Sequence, residues 1–201
     1  MSTASISRPA LVPAPNSSAK LLTTARHGAT IGFIGAAVWF LFGLESILRP
    51  DQWNARDTIW FVPFAFTVLT FIYMHRVQQP ARNAVERYTF YALMIGSALV
   101  ALGNTGLTLN NPTLSKLGFP TGAIIWIVGM LLYGIGILRA KVLPKYAGWA
   151  LILFEPGSIL TGLALSPIAP LHERGGYSAG VEKGLAVFFM AWGMRALCCR
   201  R

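Results

Sequence analysis

An all-α integral membrane protein, a bundle of six transmembrane helices with its N-terminus and C-terminus cytoplasmic, is the fold this sequence predicts. Three features point to it: too little charge for a water-facing surface, six apolar runs of spanning length, and basic residues gathered in alternate connections. Of the 201 residues 54% are apolar and 12% charged, whereas a soluble domain carries about 25% charged residues. The apolar content excludes disorder of the whole chain, and two adjacent cysteines, Cys198 and Cys199, exclude a disulfide scaffold.

A span needs about 20 mostly apolar residues to cross a hydrocarbon core about 30 Å thick. Such runs lie at about residues 29–48, 58–74, 89–109, 121–138, 146–165 and 180–197. The breaks between them have turn chemistry: Arg49-Pro50-Asp51, Gln79-Pro80, Asn110-Asn111-Pro112, Leu143-Pro144-Lys145, and Pro167 with Pro170. Residues 27–201 therefore read as one six-helix transmembrane domain. Residues 1–26 are rich in Ser, Thr, Pro and Ala and contain no acid and no apolar signal-peptide core, so they are expected to form a disordered cytoplasmic tail. That composition also fits an organelle transit peptide. The Asn16-Ser17-Ser18 sequon falls in this inward tail and is expected to stay unused.

Orientation follows from Lys and Arg, which short loops retain on the cytoplasmic side. Of the 17 basic residues, twelve fall in the N-terminal tail, the second and fourth connections and the C-terminal end, three in each. The remaining five are Arg49, Arg56, Lys116, Arg174 and Lys183. The net charge of +10 is thus first a topology signal. Spread over four short segments without interleaved aromatics, it argues against nucleic-acid binding and for attraction to anionic lipid headgroups.

Gly28 and Gly32 in the first span, and Gly176, Gly180 and Gly184 at the sixth, recur at the spacing that lets helix backbones approach in lipid. The first and last helices are expected to touch, and a dimer face is the other use of such a pattern. Trp53, Trp60, Tyr73, Tyr88, Tyr146, Trp149 and Tyr177 fall where interfacial aromatic belts lie.

The residues most telling for function are ionisable ones inside the spans, since a charge at mid-bilayer costs at least roughly 2.5–3.5 kcal/mol. Glu45, Asn104, Glu155, Glu182 and Lys183 all fall in the outer half under the expected topology, and six of the seven acids lie in or beyond that half. A cavity opening outward is the inference. Glu155 precedes Pro156 and Gly157; the proline frees the Ile152 carbonyl and kinks the helix. Glu45 stands one turn before Arg49 and can pair with it. Glu182 and Lys183 fit side chains reaching a water boundary.

Glu45 and Glu155 are the candidate catalytic acids or bases, and Trp39, Asn104 and Glu182 the candidate substrate-binding residues. No metal ligands and no cofactor are assigned. The chain lacks G-x-x-x-x-G-K-[ST], H-E-x-x-H and G-x-S-x-G, and its three histidines, His27, His75 and His172, lie at span ends. The expected function is that of a membrane-embedded enzyme, a cyclase or isomerase, using a buried carboxyl on a lipophilic isoprenoid or lipid substrate. The alternatives are an accessory subunit of a membrane complex and a small proton- or cation-coupled transporter. Expected partners are membrane lipids, a lipophilic small molecule, and a second copy or a complex partner, with no nucleic acid. The expected location is the cell membrane, multi-pass.

Overall fold

In the computed structural model, residues 15–49, 53–79, 84–165 and 180–199 are described. Among them the chain forms α1 (Pro15–Leu48), α2 (Trp53–Ile59), α3 (Phe61–Val77), α4 (Ala84–Thr108), α5 (Pro112–Gly118), α6 (Thr121–Ala140), α7 (Lys145–Ile152), α8 (Phe154–Leu165) and α9 (Gly180–Cys199), and no strand. The expected turns at Pro50-Asp51, Pro80, Pro167 and Pro170, the loop charges Asp51, His172, Glu173 and Arg174, and residues 1–14 lie outside the described residues.

Among the described residues, four helical stretches are long and apolar enough to cross a membrane: Ala19–Leu48, Arg56–Val77, Ala84–Thr108 and Pro112–Ala140. The fifth expected span is divided at Leu153 into α7 and α8, of 8 and 12 residues. The sixth, α9, carries Glu182, Lys183 and Arg195. At its other end the chain departs from expectation more plainly. Helix α1 begins at Pro15, so residues 15–26, read as tail, are helical. At 1.5 Å per residue its 34 residues extend about 51 Å, well beyond the thickness of a hydrocarbon core.

Small residues decide which helices pair. The most extensive pairing is α1 with α9, followed by α4 with α6. A Cβ placed on Gly32 would lie 2.7 Å from Ala191 Cβ, and one on Gly43 would lie 2.6 Å from the Val181 backbone nitrogen. The expected contact of first and last helices is present, and glycine produces it by letting the backbones close up. Between α4 and α6 the same device is tighter: a Cβ on Gly96 would lie 2.5 Å from the Trp126 nitrogen.

Local chemistry ends and starts the shorter elements. Asn111 caps α5, its side chain accepting from the Thr113 and Leu114 amides at 3.1 Å each, with Pro112 in the first helical position where its missing N–H is harmless. Helix α6 ends at Lys141, which adopts a left-handed φ of 55°. The Phe119–Pro120 peptide is cis.

The interior is a continuous apolar core that includes Trp39, Phe71, Met74, Leu93, Met130, Tyr133, Phe154 and Met190. Buried hydroxyls turn back onto their own helices: Thr67 donates to the Pro63 carbonyl at 3.0 Å, Thr70 to Phe66 at 2.7 Å and Ser97 to Leu93 at 2.8 Å. The outer faces are apolar as well. Leu41, Leu48, Ile95, Ile124, Leu160 and Leu163 are all exposed, a surface suited to hydrocarbon.

Candidate functional site

Two prolines shape the site before any charged residue enters it. Proline lacks the N–H that would bond the carbonyl four residues back, so Pro63 leaves the Ile59 carbonyl without its helical donor and Pro156 does the same to Ile152. The helical ladder is thereby broken beside Trp60 and beside Leu153, although both residues keep right-handed helical dihedrals and their amides still donate to the Arg56 and Trp149 carbonyls at 2.8 and 2.9 Å. The break before Pro156 matches the sequence. The one before Pro63 follows the same rule and lies in an apolar run that reads as uninterrupted.

Trp60, and Glu155 two residues beyond Leu153, meet at one cavity of about 350 Å³, lined as well by Val100, Asn104, Phe119, Ala123, Trp126, Ile127 and Lys183. Glu155 and Lys183 form an ion pair across α8 and α9, with Nζ 3.1 Å from Oε1 and side-chain exposures of 10% and 11%. The contact lacks the alignment of a hydrogen bond, leaving Oε1 without one. Ser158 Oγ lies 3.3 Å from the other carboxylate oxygen and donates to it. On its far side the Lys183 ammonium stands 5.6 Å from the centre of the Trp39 ring, close enough for the ring's quadrupole to attract it.

The neighbours are held as firmly. Trp39 Nε1 donates to Thr67 Oγ1 at 2.8 Å, fixing α1 against α3. Asn104 donates through Nδ2 to the Asp57 carbonyl at 2.8 Å, fixing α4 against α2. Aromatic rings continue the wall inward: Trp60 stacks on Phe64 at 4.3 Å, Phe64 meets Trp126 edge-on at 5.6 Å, and Trp126 meets Phe154 at 5.8 Å. Trp126 Nε1 is buried without a hydrogen-bond partner, an unmet donor in a side chain that lines the cavity.

The candidate residues thus separate into those gathered here and those that are not. Glu155 and Asn104 line the cavity, and Trp39 adjoins it through Lys183. Glu45 lies elsewhere. It forms a two-point ion pair with Arg56, Nε to Oε2 at 2.9 Å and Nη2 to Oε1 at 3.2 Å, while Arg56 also donates to the Arg49 carbonyl. Arg56, not the Arg49 one turn away, is its partner, and the pair clasps the end of α1 to α2. Glu182 also turns away. It lines an apolar groove on the other side of α8 and α9, about 100° around the helix from its neighbour Lys183.

Sequence reasoning passed over two features. Lys183 reads as a side chain reaching for water but is 8% exposed; the only sequence signal was its place within an apolar helix. The second is a polar cluster at the other end of α3, α4 and α6. There His75 stacks on Phe90 at 3.7 Å, Tyr133 Oη lies 3.5 Å from His75 Nδ1, and Glu86 and Gln78 are buried. Among the described residues no three of His, Cys, Asp and Glu come together as metal ligands would.

The chain matches no protein-family model, and neither a curated protein nor a solved structure matches it.

Proposed function

We propose that this chain is a multi-pass membrane enzyme that isomerises or cyclises a lipophilic substrate, with Glu155 and Lys183 as its acid–base pair. In this reading the bundle crosses the bilayer six times with both termini cytoplasmic, α7 and α8 together forming one broken span and α9 the last. The observation that carries the reading is the buried ion pair on the wall of an aromatic cavity of about 350 Å³. Cavities of this size and lining, apolar with a few convergent polar groups, suit small-molecule binding.

Such a pair needs no cofactor for proton-neutral chemistry. The Glu155 carboxylate removes a proton from one substrate carbon while the Lys183 ammonium delivers one to another, leaving a neutral acid beside a neutral amine. Proton return across the 3.1 Å gap then restores both. Net atoms and charge are unchanged, as an isomerisation or ring closure requires. Trp60, Trp126 and Phe119 line the cavity, and aromatic rings attract positive charge developing on a carbon skeleton. The Trp126 N–H and Asn104 are placed to orient a polar substituent.

The test is untargeted lipid analysis of membranes incubated with the purified full-length protein. A lipid species that accumulates with wild type and fails to accumulate with Glu155→Gln and with Lys183→Met is the expected result. An unchanged lipid profile with wild type, or equal product from both variants, overturns the reading.

A second reading, a small proton-coupled carrier, is favoured by one specific observation. Carriers bind their cargo between broken helices near the midplane, and Pro63 and Pro156 each remove one helical hydrogen bond in segments whose Trp60 and Glu155 line one cavity. Proton flux through proteoliposomes that disappears in Glu155→Gln, without any change in lipid composition, decides for it.

A further inference from the structure

On the side of α8 and α9 away from the ion pair lies a groove of about 630 Å³. Its floor on α7 and α8 is the stripe Lys145, Trp149, Leu153, Gly157 and Thr161, spaced four residues apart, and Glu182, Leu185 and Phe189 of α9 line it as well. At 1.5 Å per residue the stripe runs about 24 Å. One leaflet of a hydrocarbon core about 30 Å thick offers only about half that core.

Gly157 differs from the glycines at the helix contacts. A Cβ on it would meet nothing within 4 Å, whereas those on Gly32, Gly43 and Gly96 would collide with neighbouring helices. The missing side chain therefore widens the groove and serves no helix contact. The groove carries charges of opposite sign. Lys145 stands exposed at one end of the stripe, and Glu182, farther along on α9, has a buried carboxylate oxygen without a hydrogen-bond partner. An anionic head is attracted to the first and repelled from the second, which fixes the direction in which a chain can lie.

We propose that this groove binds a long-chain isoprenoid phosphate, its phosphate at Lys145 and its chain lying over Trp149, Leu153 and Gly157 past the bilayer midplane. The site goes beyond the proposed reaction: it requires that the bundle be embedded in a bilayer and does not depend on Glu155 or Lys183.

The full-length protein is reconstituted in phosphatidylcholine nanodiscs doped with equal mole fractions of undecaprenyl phosphate, undecaprenol or phosphatidylglycerol, and the lipid retained after release is measured by native mass spectrometry. Wild type is expected to retain undecaprenyl phosphate at least about tenfold better than phosphatidylglycerol. Gly157→Phe, which fills the groove, removes that preference, and Gly157→Leu does so if the phenylalanine variant fails to fold. Lys145→Gln lowers retention of undecaprenyl phosphate to that of undecaprenol and leaves undecaprenol unchanged. Equal retention of phosphatidylglycerol and undecaprenyl phosphate, or unchanged retention in a folded Gly157 variant, overturns the proposal, as does a dimer that seals the groove with a second copy. Loss of the lipid-converting activity in Glu155→Gln with retention intact leaves this site standing, so failure of the site and failure of the proposed reaction are read separately.

Discussion

Lys183 Nζ lies 3.1 Å from Glu155 Oε1, so the last helix is tied to the second half of a proline-broken helix by charges almost wholly out of solvent. Breaking a buried pair by removing one partner costs about 3–5 kcal/mol because an uncompensated charge stays behind, while replacing both partners is often neutral. Glu155→Gln and Lys183→Met are each expected to lower stability on that scale, and the double variant to recover most of the loss. Unfolding by a denaturing detergent in mixed micelles measures it. A double variant whose loss equals the sum of the two single losses would show that the pair acts as two separate contacts.

Trp39 and Thr67 offer a test of the wall behind that pair. Thr67→Val removes the acceptor for the Trp39 indole while keeping shape, leaving a buried N–H unpaired, a loss of about 1–3 kcal/mol. Trp39→Phe removes the donor instead. Added to Thr67→Val it should cost less than its effect in the wild type, since no N–H remains to be orphaned. Detergent unfolding of the two single variants and the double variant gives the coupling directly.

Glycines at helix contacts and in the groove should respond oppositely. Gly96→Ala drives a methyl against the Trp126 backbone, which cannot yield as a flexible side chain would, and overpacking of this kind costs about 1–3 kcal/mol. Gly157→Ala meets open space and gains helix propensity of up to about 1 kcal/mol. The same unfolding assay should therefore rank Gly157→Ala at or above wild type and Gly96→Ala below it.

These contrasts show where the sequence could and could not be read. The contact of α1 with α9 was legible because Gly28, Gly32, Gly180 and Gly184 repeat at helical spacing, a local pattern with one packing consequence. The Leu153 break was legible because a proline removes a hydrogen bond wherever it stands in a helix; the Trp60 break obeys the same rule. Partners across helices were not legible. Glu45 has a neighbour of opposite charge one turn away in Arg49, yet it binds Arg56, because α2 folds back against the end of α1 and brings a guanidinium into two-point register. Glu182 and Lys183 are adjacent in sequence, but about 100° separates successive side chains around a helix. One therefore enters the cavity and the other the groove, and only the rotation of α9 against its neighbours decides which. The helix from Pro15 to residue 26 was missed because its Ser- and Thr-rich composition matches that of mobile tails.

The proposed six-span topology makes a prediction that needs no knowledge of the reaction. With Cys198 and Cys199 replaced by Ser, single cysteines are introduced as Lys20→Cys, Lys141→Cys and Lys116→Cys, and intact cells are treated with a membrane-impermeant maleimide. Labelling of Lys116→Cys alone is expected, with the other two reacting only after permeabilisation. Labelling of Lys141→Cys and Lys116→Cys from the same side would mean that α6, 20 residues and apolar throughout until Arg139, does not cross.

Pro156 provides the sharpest separation of shape from stability. Replacing it with Ala returns a donor for the Ile152 carbonyl and removes the residue least suited to a helix interior, worth about 3 kcal/mol in propensity where the surroundings allow straightening. Restoring that bond tightens the turn that carries Glu155 and shifts its carboxylate relative to α7, while Lys183 stays fixed by α9 against α1. Pro156→Ala should therefore match or exceed wild type in detergent unfolding and yet lose whatever activity depends on Glu155 and Lys183 meeting. A cysteine pair at 155 and 183 gives the geometric readout, expected to cross-link readily beside Pro156 and poorly beside Ala. Full activity with undiminished cross-linking in Pro156→Ala would show that neighbouring helices, rather than the missing hydrogen bond, hold the break open.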